Sequence, residues 1–107
     1  MDNLTTQGIS MPKLGLGTWR LAGDGARDAV ASAIGLGYRH IDTAEMYGNE
    51  DGVGAGIAAS GIKRADLHVT TKVWHEHLAP DAIRRAFDTS LGKLKLDHVD
   101  LYLVHWP

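Results

Sequence analysis

The chain has 107 residues, of which 44% are hydrophobic and 22% charged, the balance of one small globular domain with a modest core. Its formal net charge is -2, with acidic and basic residues interspersed, so it offers no electrostatic footprint for nucleic acid or an anionic membrane. There is no cysteine, which excludes a disulfide framework, a thiolate metal site and a cysteine nucleophile.

Strand-like and helix-like segments alternate along the chain, the pattern of βαβ units feeding a parallel sheet. The first predicted strand covers residues 14–18. Asp24 is placed to cap the helix that follows, in which Ala26, Val30, Ala33 and Ile34 recur at helical spacing and Gly35 or Gly37 ends the run. A second strand spans residues 39–43. The second helix starts near Glu50 and carries Val53 and Ile57 on one face, with Gly61 as its stop, although Gly54 and Gly56 weaken its interior. A third strand covers residues 67–73. Pro80 then opens a third helix, where its missing N–H would have had no partner in any case. Ile83, Phe87, Leu91 and Leu94 form the predicted buried stripe of that helix. The fourth strand, residues 99–104, is nearly all apolar, as expected of a strand covered on both faces.

There is no linker, low-complexity segment or repeat beyond this βα rhythm, so residues 1–107 read as part of a single domain. No helix follows the fourth strand, and an exposed apolar edge invites pairing with another chain. The sequence therefore reads as cut in half. Residues 1–8 lack the basic and apolar segments of a secretory signal, and no apolar run approaches membrane-spanning length, so the expected location is the cytoplasm.

Four titratable side chains fall at, or just beyond, the ends of the predicted strands: Asp42, Tyr47, Lys72 and His105. In a parallel barrel the C-terminal strand ends open on one face, so these side chains would converge there. An Asp, a Tyr, a Lys and a His brought together suit proton transfer. Every tryptophan of the chain, Trp19, Trp74 and Trp106, also falls just past a strand end, which predicts an aromatic wall at the same mouth.

Together, the run from Gly37 to Gly54, the opening Leu14, Gly15, Leu16, Gly17, Thr18, Trp19, the segment Thr70, Thr71, Lys72, Val73, Trp74 and the closing residues from Asp100 to Pro107 resemble the aldo-keto reductases. The likeness is greatest to bacterial members of the 2,5-diketo-D-gluconate reductase type. The resemblance implies a TIM (β/α)₈ barrel of about 250 residues or more, of which this chain supplies the first four strands. It also implies NADPH-dependent reduction of aldehydes and ketones to alcohols, with a small carbonyl compound as substrate and a monomeric full-length parent. It assigns Tyr47 as general acid, Lys72 and Asp42 as its tuning pair, and His105 as the group that orients the carbonyl. It further implies cofactor contacts from Gly17, Thr18, Trp19 and Asp42, and a substrate pocket lined by Trp19, Tyr47, Trp74, His105 and Trp106.

The chemistry asks for the same residue types. Hydride arriving at a carbonyl carbon leaves negative charge on the oxygen, so a proton donor must stand beside it. A free phenol titrates near pH ~10, and a neighbouring cation favours its ionised form. Lys72 can be that cation, and Asp42 can hold the ammonium in place.

Two other readings remain open from the sequence. A metal-dependent barrel hydrolase would use His40 and Asp42, which are two apart on a strand and share a side, with His105 as a third ligand. Against it, Lys72 would project a cation into the metal's position and Tyr47 would have no duty, so no metal is expected. The cluster His75, Glu76, His77 also lacks the spacing of a helical zinc site. A non-catalytic nucleotide-binding relative would betray itself by a missing acid or lysine, and this chain keeps all four residues. Half a barrel would hold those residues loosely, so the isolated chain is expected to be inactive and to self-associate through its edges.

Overall fold

Residues 3–6, 9–12 and 14–105 are described by a computed structural model, in which the predicted βα rhythm is preceded by a hairpin. Its strands β1 (Asn3–Thr6) and β2 (Ile9–Pro12) pair antiparallel, with Leu4 opposite Met11. The sequence reading passes over this hairpin because residues 3–6 hold a single apolar side chain, Leu4, and so show no alternation to follow.

Among the described residues the main sheet is parallel and has four strands in chain order: β3 (Leu16–Gly17), β4 (His40–Asp42), β5 (His68–Trp74) and β6 (Leu101–His105). The first predicted strand shortens to two residues because the chain turns at once. Thr18 N–H still donates to the Asp42 carbonyl at 3.1 Å, but Arg20 adopts φ +65° and ends the ladder.

Among the described residues three α-helices cover one face of the sheet: α1 (Gly23–Gly35), α2 (Glu50–Ser60) and α3 (Pro80–Leu94). Between them and the strands lies a core of Val30, Ile34, Ile41, Val53, Ile57, Leu67, Val69 and Leu94. In α1 the predicted positions Ala26, Val30, Ala33 and Ile34 are the buried ones. Asp24 is not the cap. That place belongs to Ala22, and Asp24 lies within the first turn, where its charge suits the positive end of the helix dipole. Gly61 ends α2 at φ +70°, as expected of a left-handed stop.

The interior glycines of α2 are there for approach. A methyl group at Gly52 would meet the Gly23 carbonyl oxygen at 2.6 Å, and one at Gly56 would meet the Arg27 carbonyl oxygen at 2.6 Å. α1 and α2 thus pack backbone against backbone, a contact that helix propensity alone does not reveal.

Pro80 occupies the first turn of α3, as the sequence predicts, but the buried stripe differs. Ala86, Ser90 and Leu94 are buried, whereas Ile83, Phe87 and Leu91 are only half-buried. Ile83 and Phe87 instead join Tyr102 and Arg84 around an open apolar groove on the flank of α3. The stripe predicted from spacing points partly at this groove, which no described element fills. β6 departs from expectation for the same reason: Leu103 is 41% and Val104 is 54% exposed, so this strand is not covered on both faces. The Tyr102 hydroxyl is buried without a hydrogen-bond partner among the described residues, and burial pushes it up to about 12. Among the described residues no helix is long and apolar enough to cross a membrane.

Candidate active site

Side chains alternate along a strand, and residues in register on parallel neighbours point to the same face. Gly17 pairs with Asp42, Asp42 with Thr70, Lys72 with Leu103, and Trp74 with His105. Asp42, Lys72, Trp74 and His105 therefore share the face opposite the helices, near the C-terminal ends of their strands. Tyr47 joins them from a short 3₁₀ turn, Glu45–Tyr47, which follows β4 directly.

The four predicted catalytic residues meet. The Lys72 ammonium donates to Asp42 Oδ1 and, at 3.1 Å, to the Thr43 carbonyl. The same ammonium lies 5.5 Å from the centre of the Tyr47 ring, over its face. The His105 ring stands perpendicular to that of Tyr47, with centroids 5.5 Å apart, and Trp74 meets His105 edge-on at 5.6 Å. His105 Nδ1 is buried without a hydrogen-bond partner among the described residues. Lys72 is largely enclosed, with 15% of its side chain exposed, while Asp42 keeps 42%, so the pair opens toward solvent on the carboxylate side.

The remaining predicted residues fall into three groups. Gly17 is exposed beside Asp42, and a methyl group added there would meet nothing within 4 Å, which leaves open space over that strand end. Trp19 is 60% exposed at the mouth, with the Arg20 guanidinium stacked 4.4 Å above its ring. Thr18 is fully buried, its hydroxyl 2.9 Å from Thr43 Oγ1 and 3.3 Å from the Asp42 carbonyl, so no part of its side chain reaches the open face. Trp106 lies outside the described residues. His40, the first ligand of the metal reading, lies beside Pro12 O at 3.3 Å and Thr70 Oγ1 at 3.0 Å. Among the described residues no group of three His, Asp or Glu side chains converges as a ligand set.

Sequence reasoning missed the supports of this site. The Glu45 carboxylate accepts from the Trp74 backbone N–H and lies 2.9 Å from His77 Nδ1, tying the Tyr47 turn to the end of β5. Glu50, 2% exposed, accepts from Thr71 Oγ1 at 2.7 Å and Ser90 Oγ at 2.9 Å, joining α2, β5 and α3. Burial pushes its carboxyl above the ordinary range, and the two hydroxyl donors only partly oppose this. The only sequence signal for either residue was a carboxylate placed at the start of a helical turn.

Residues 13–107 match the Aldo/keto reductase family. The chain belongs to that family. Among its relatives, the glyoxal reductase of Bacillus subtilis is 48% identical over 101 residues, a match covering 94% of this chain and 37% of the relative. The solved structure of an aldo/keto reductase from Brucella melitensis superposes with a TM-score of 0.95 at 50% identity, covering 99% of this chain and 41% of that one. A second structure, provisionally assigned as a 2,5-diketo-D-gluconic acid reductase B, gives a TM-score of 0.95 at 48% identity, covering all of this chain and 38% of its own length. The four parallel strands are thus the first four of a (β/α)₈ barrel. The chain spans about a third of the length of the curated relatives it matches, from 31% to 37%.

Proposed function

We propose that residues 1–107 form the N-terminal half of one reductase barrel domain and contribute its acid–base machinery for reducing a small aldehyde or ketone to an alcohol in the cytoplasm. The observation that carries this reading is the Lys72 ammonium, seated on Asp42 and lying over the ring face of Tyr47, with His105 perpendicular to that ring. A phenol held against an enclosed cation can give up its proton and be stabilised as the phenoxide.

Tyr47 donates its hydroxyl proton to the carbonyl oxygen as charge develops there. Lys72 stabilises the phenoxide left behind, and Asp42 with the Thr43 carbonyl keeps the ammonium from swinging into solvent. His105 hydrogen-bonds the carbonyl oxygen and orients it toward Tyr47. Trp19 and Trp74 flank the opening with apolar surface, which suits a substrate that carries some of its own.

NADPH, when bound, would supply the hydride. The residues present fit its nicotinamide ribose end: the open space over Gly17 admits a close approach to the strand, and the exposed side of Asp42 can accept a ribose hydroxyl. Tyr47, Lys72 and His105 then hold and move the proton at the substrate oxygen.

The test is to join this chain to the complementary second half of the Bacillus subtilis glyoxal reductase and to follow NADPH oxidation with glyoxal. Turnover by the joined barrel that falls about 10²-fold or more in Tyr47→Phe supports the reading. Turnover unchanged by Tyr47→Phe, with chemistry rate-limiting, overturns it.

A further inference from the structure

Thr18, Thr43 and Asn49 close a ring of hydrogen bonds inside the protein, and all three are at most 2% exposed. Thr18 Oγ1 donates to Thr43 Oγ1 at 2.9 Å, and Thr43 Oγ1 to Asn49 Oδ1 at 3.4 Å. Asn49 Nδ2 returns to the Thr18 carbonyl at 2.7 Å and sends its other proton to the Leu21 carbonyl, also at 2.7 Å. Two carbonyls can only accept, so the orientation of the amide is fixed by its partners.

Those two carbonyls bracket Trp19 and Arg20. Trp19 is the exposed aromatic side chain at the mouth of the site, and Arg20 holds φ +65°, a conformation that an L residue keeps only when its surroundings impose it. At the other end of the ring, Thr43 follows Asp42 and gives its carbonyl to Lys72. Asn49 itself touches neither substrate nor reacting atoms. It precedes α2 as the N-cap residue but makes no side-chain cap bond there, so both of its amide protons go to the loop.

We propose that Asn49 is a positioning residue that fixes the Trp19 loop relative to the Asp42–Lys72 pair, and through it sets which carbonyl compounds the site accepts. A buried polar circuit with every member satisfied is rigid, and losing the Asn49 amide takes the donor from the Leu21 carbonyl and leaves the Thr18 carbonyl only the Leu21 N–H of its own turn, at 3.2 Å. Asn49→Asp keeps the size of the side chain and replaces the donating nitrogen by one oxygen facing both carbonyls. The Trp19 loop should then leave its place, while strand β5 and Trp74 keep theirs.

This rests on the reductase reading only for the identity of the ligand that the loop meets, so the first arm needs no activity. The 107-residue chain is labelled with 5-fluorotryptophan and its three fluorine resonances are assigned with Trp74→Phe and Trp106→Phe. In Asn49→Asp the Trp19 resonance should shift by more than its linewidth toward the position of the free amino acid, with Trp74 unmoved. Thr43→Val leaves both Nδ2 bonds in place and should move Trp19 less. A Trp19 resonance that stays put in Asn49→Asp overturns the proposal. So does a joint shift of Trp19 and Trp74, which would make Asn49 a general brace of the fold.

The second arm uses the joined barrel. Asn49→Asp should raise KM for a bulky aromatic aldehyde at least tenfold, with kcat and its pH profile held within about twofold, because the residues that handle the proton are untouched. Equal losses in kcat and KM across small and bulky substrates overturn the specificity role. A wild-type joined barrel without turnover counts against the reductase reading, and the fluorine resonances then decide the proposal alone.

Discussion

Gly54 of α2 lies against the backbone of Leu94 at the end of α3, so close that a methyl group at residue 54 would sit 2.7 Å from Leu94 Cα. Contact of this kind leaves no flexible side chain to yield. Gly54→Ala would gain about 1 kcal/mol of helix propensity but force an overpacked contact that typically costs about 1–3 kcal/mol. With backbone as the obstacle the steric cost should win, so the variant is expected to unfold at lower denaturant concentration than the unaltered chain. Equal or greater stability would show that α2 and α3 can separate freely.

The Lys72 ammonium has two acceptors, Asp42 and the Thr43 carbonyl, and faces the Tyr47 ring. In the joined barrel, Lys72→Met should lower turnover by about 10²-fold, because the cation that stabilises the phenoxide is gone. Asp42→Asn should cost less, since Thr43 still holds the ammonium. If Asp42→Asn proved the more damaging of the two, Asp42 would have a duty beyond seating Lys72.

Taken alone, the 107-residue chain holds all four residues of the proposed machinery on an open sheet, with β6 at one edge and Leu103 and Val104 exposed. It is expected to reduce no aldehyde detectably, to bind NADPH weakly or not at all, and to self-associate through its edges. Calorimetric titration, size-exclusion chromatography and an aldehyde reduction assay check the three parts. A monomer with micromolar affinity and measurable turnover would contradict them.

Two buried groups give opposite pH dependences. The Glu50 carboxyl is raised above its ordinary 4.5 by burial, so in the window just above 4.5 the folded state holds more protons than the unfolded one and this contribution to stability falls as pH rises. Glu50→Gln should therefore gain on the unaltered chain as pH climbs through that window. His68 is lowered from 6.5, first by burial and then by the charge of His40, so its contribution is present above 6.5 and lost as pH falls through the folded value. His68→Gln should be less sensitive to acid than the unaltered chain. Denaturation midpoints measured from pH 4 to 8 test both, and parallel curves for either variant would remove that group from the account.

Much of the helical layer was legible because apolar spacing is a local signal: Ala26, Val30, Ala33 and Ile34 in α1, and Val53 and Ile57 in α2, are buried as their periodicity demands. The meeting of Asp42, Tyr47, Lys72 and His105 was legible for another reason, since parallel strands in chain order bring their C-terminal ends to one edge. What the sequence hid depends on partners distant along the chain. Gly54 reads as a weak helix position until Leu94 is set against it, and Glu50 reads as a helix start until Thr71 and Ser90 close over it. The stripe of α3 was misjudged because periodicity shows that a face is apolar, without showing what lies opposite. Ile83 and Phe87 border an open groove there.

The strand order β3-β4-β5-β6 also bears on how the protein comes to be folded. Each parallel pairing within the chain joins neighbours in sequence, as in Ile41 with Val69. The entropy of closing a loop grows only slowly with its length, and every crossover here closes one of similar, moderate size. The α1–α2 contact through Gly52 and Gly56 joins two successive βα units and uses no residue beyond α2.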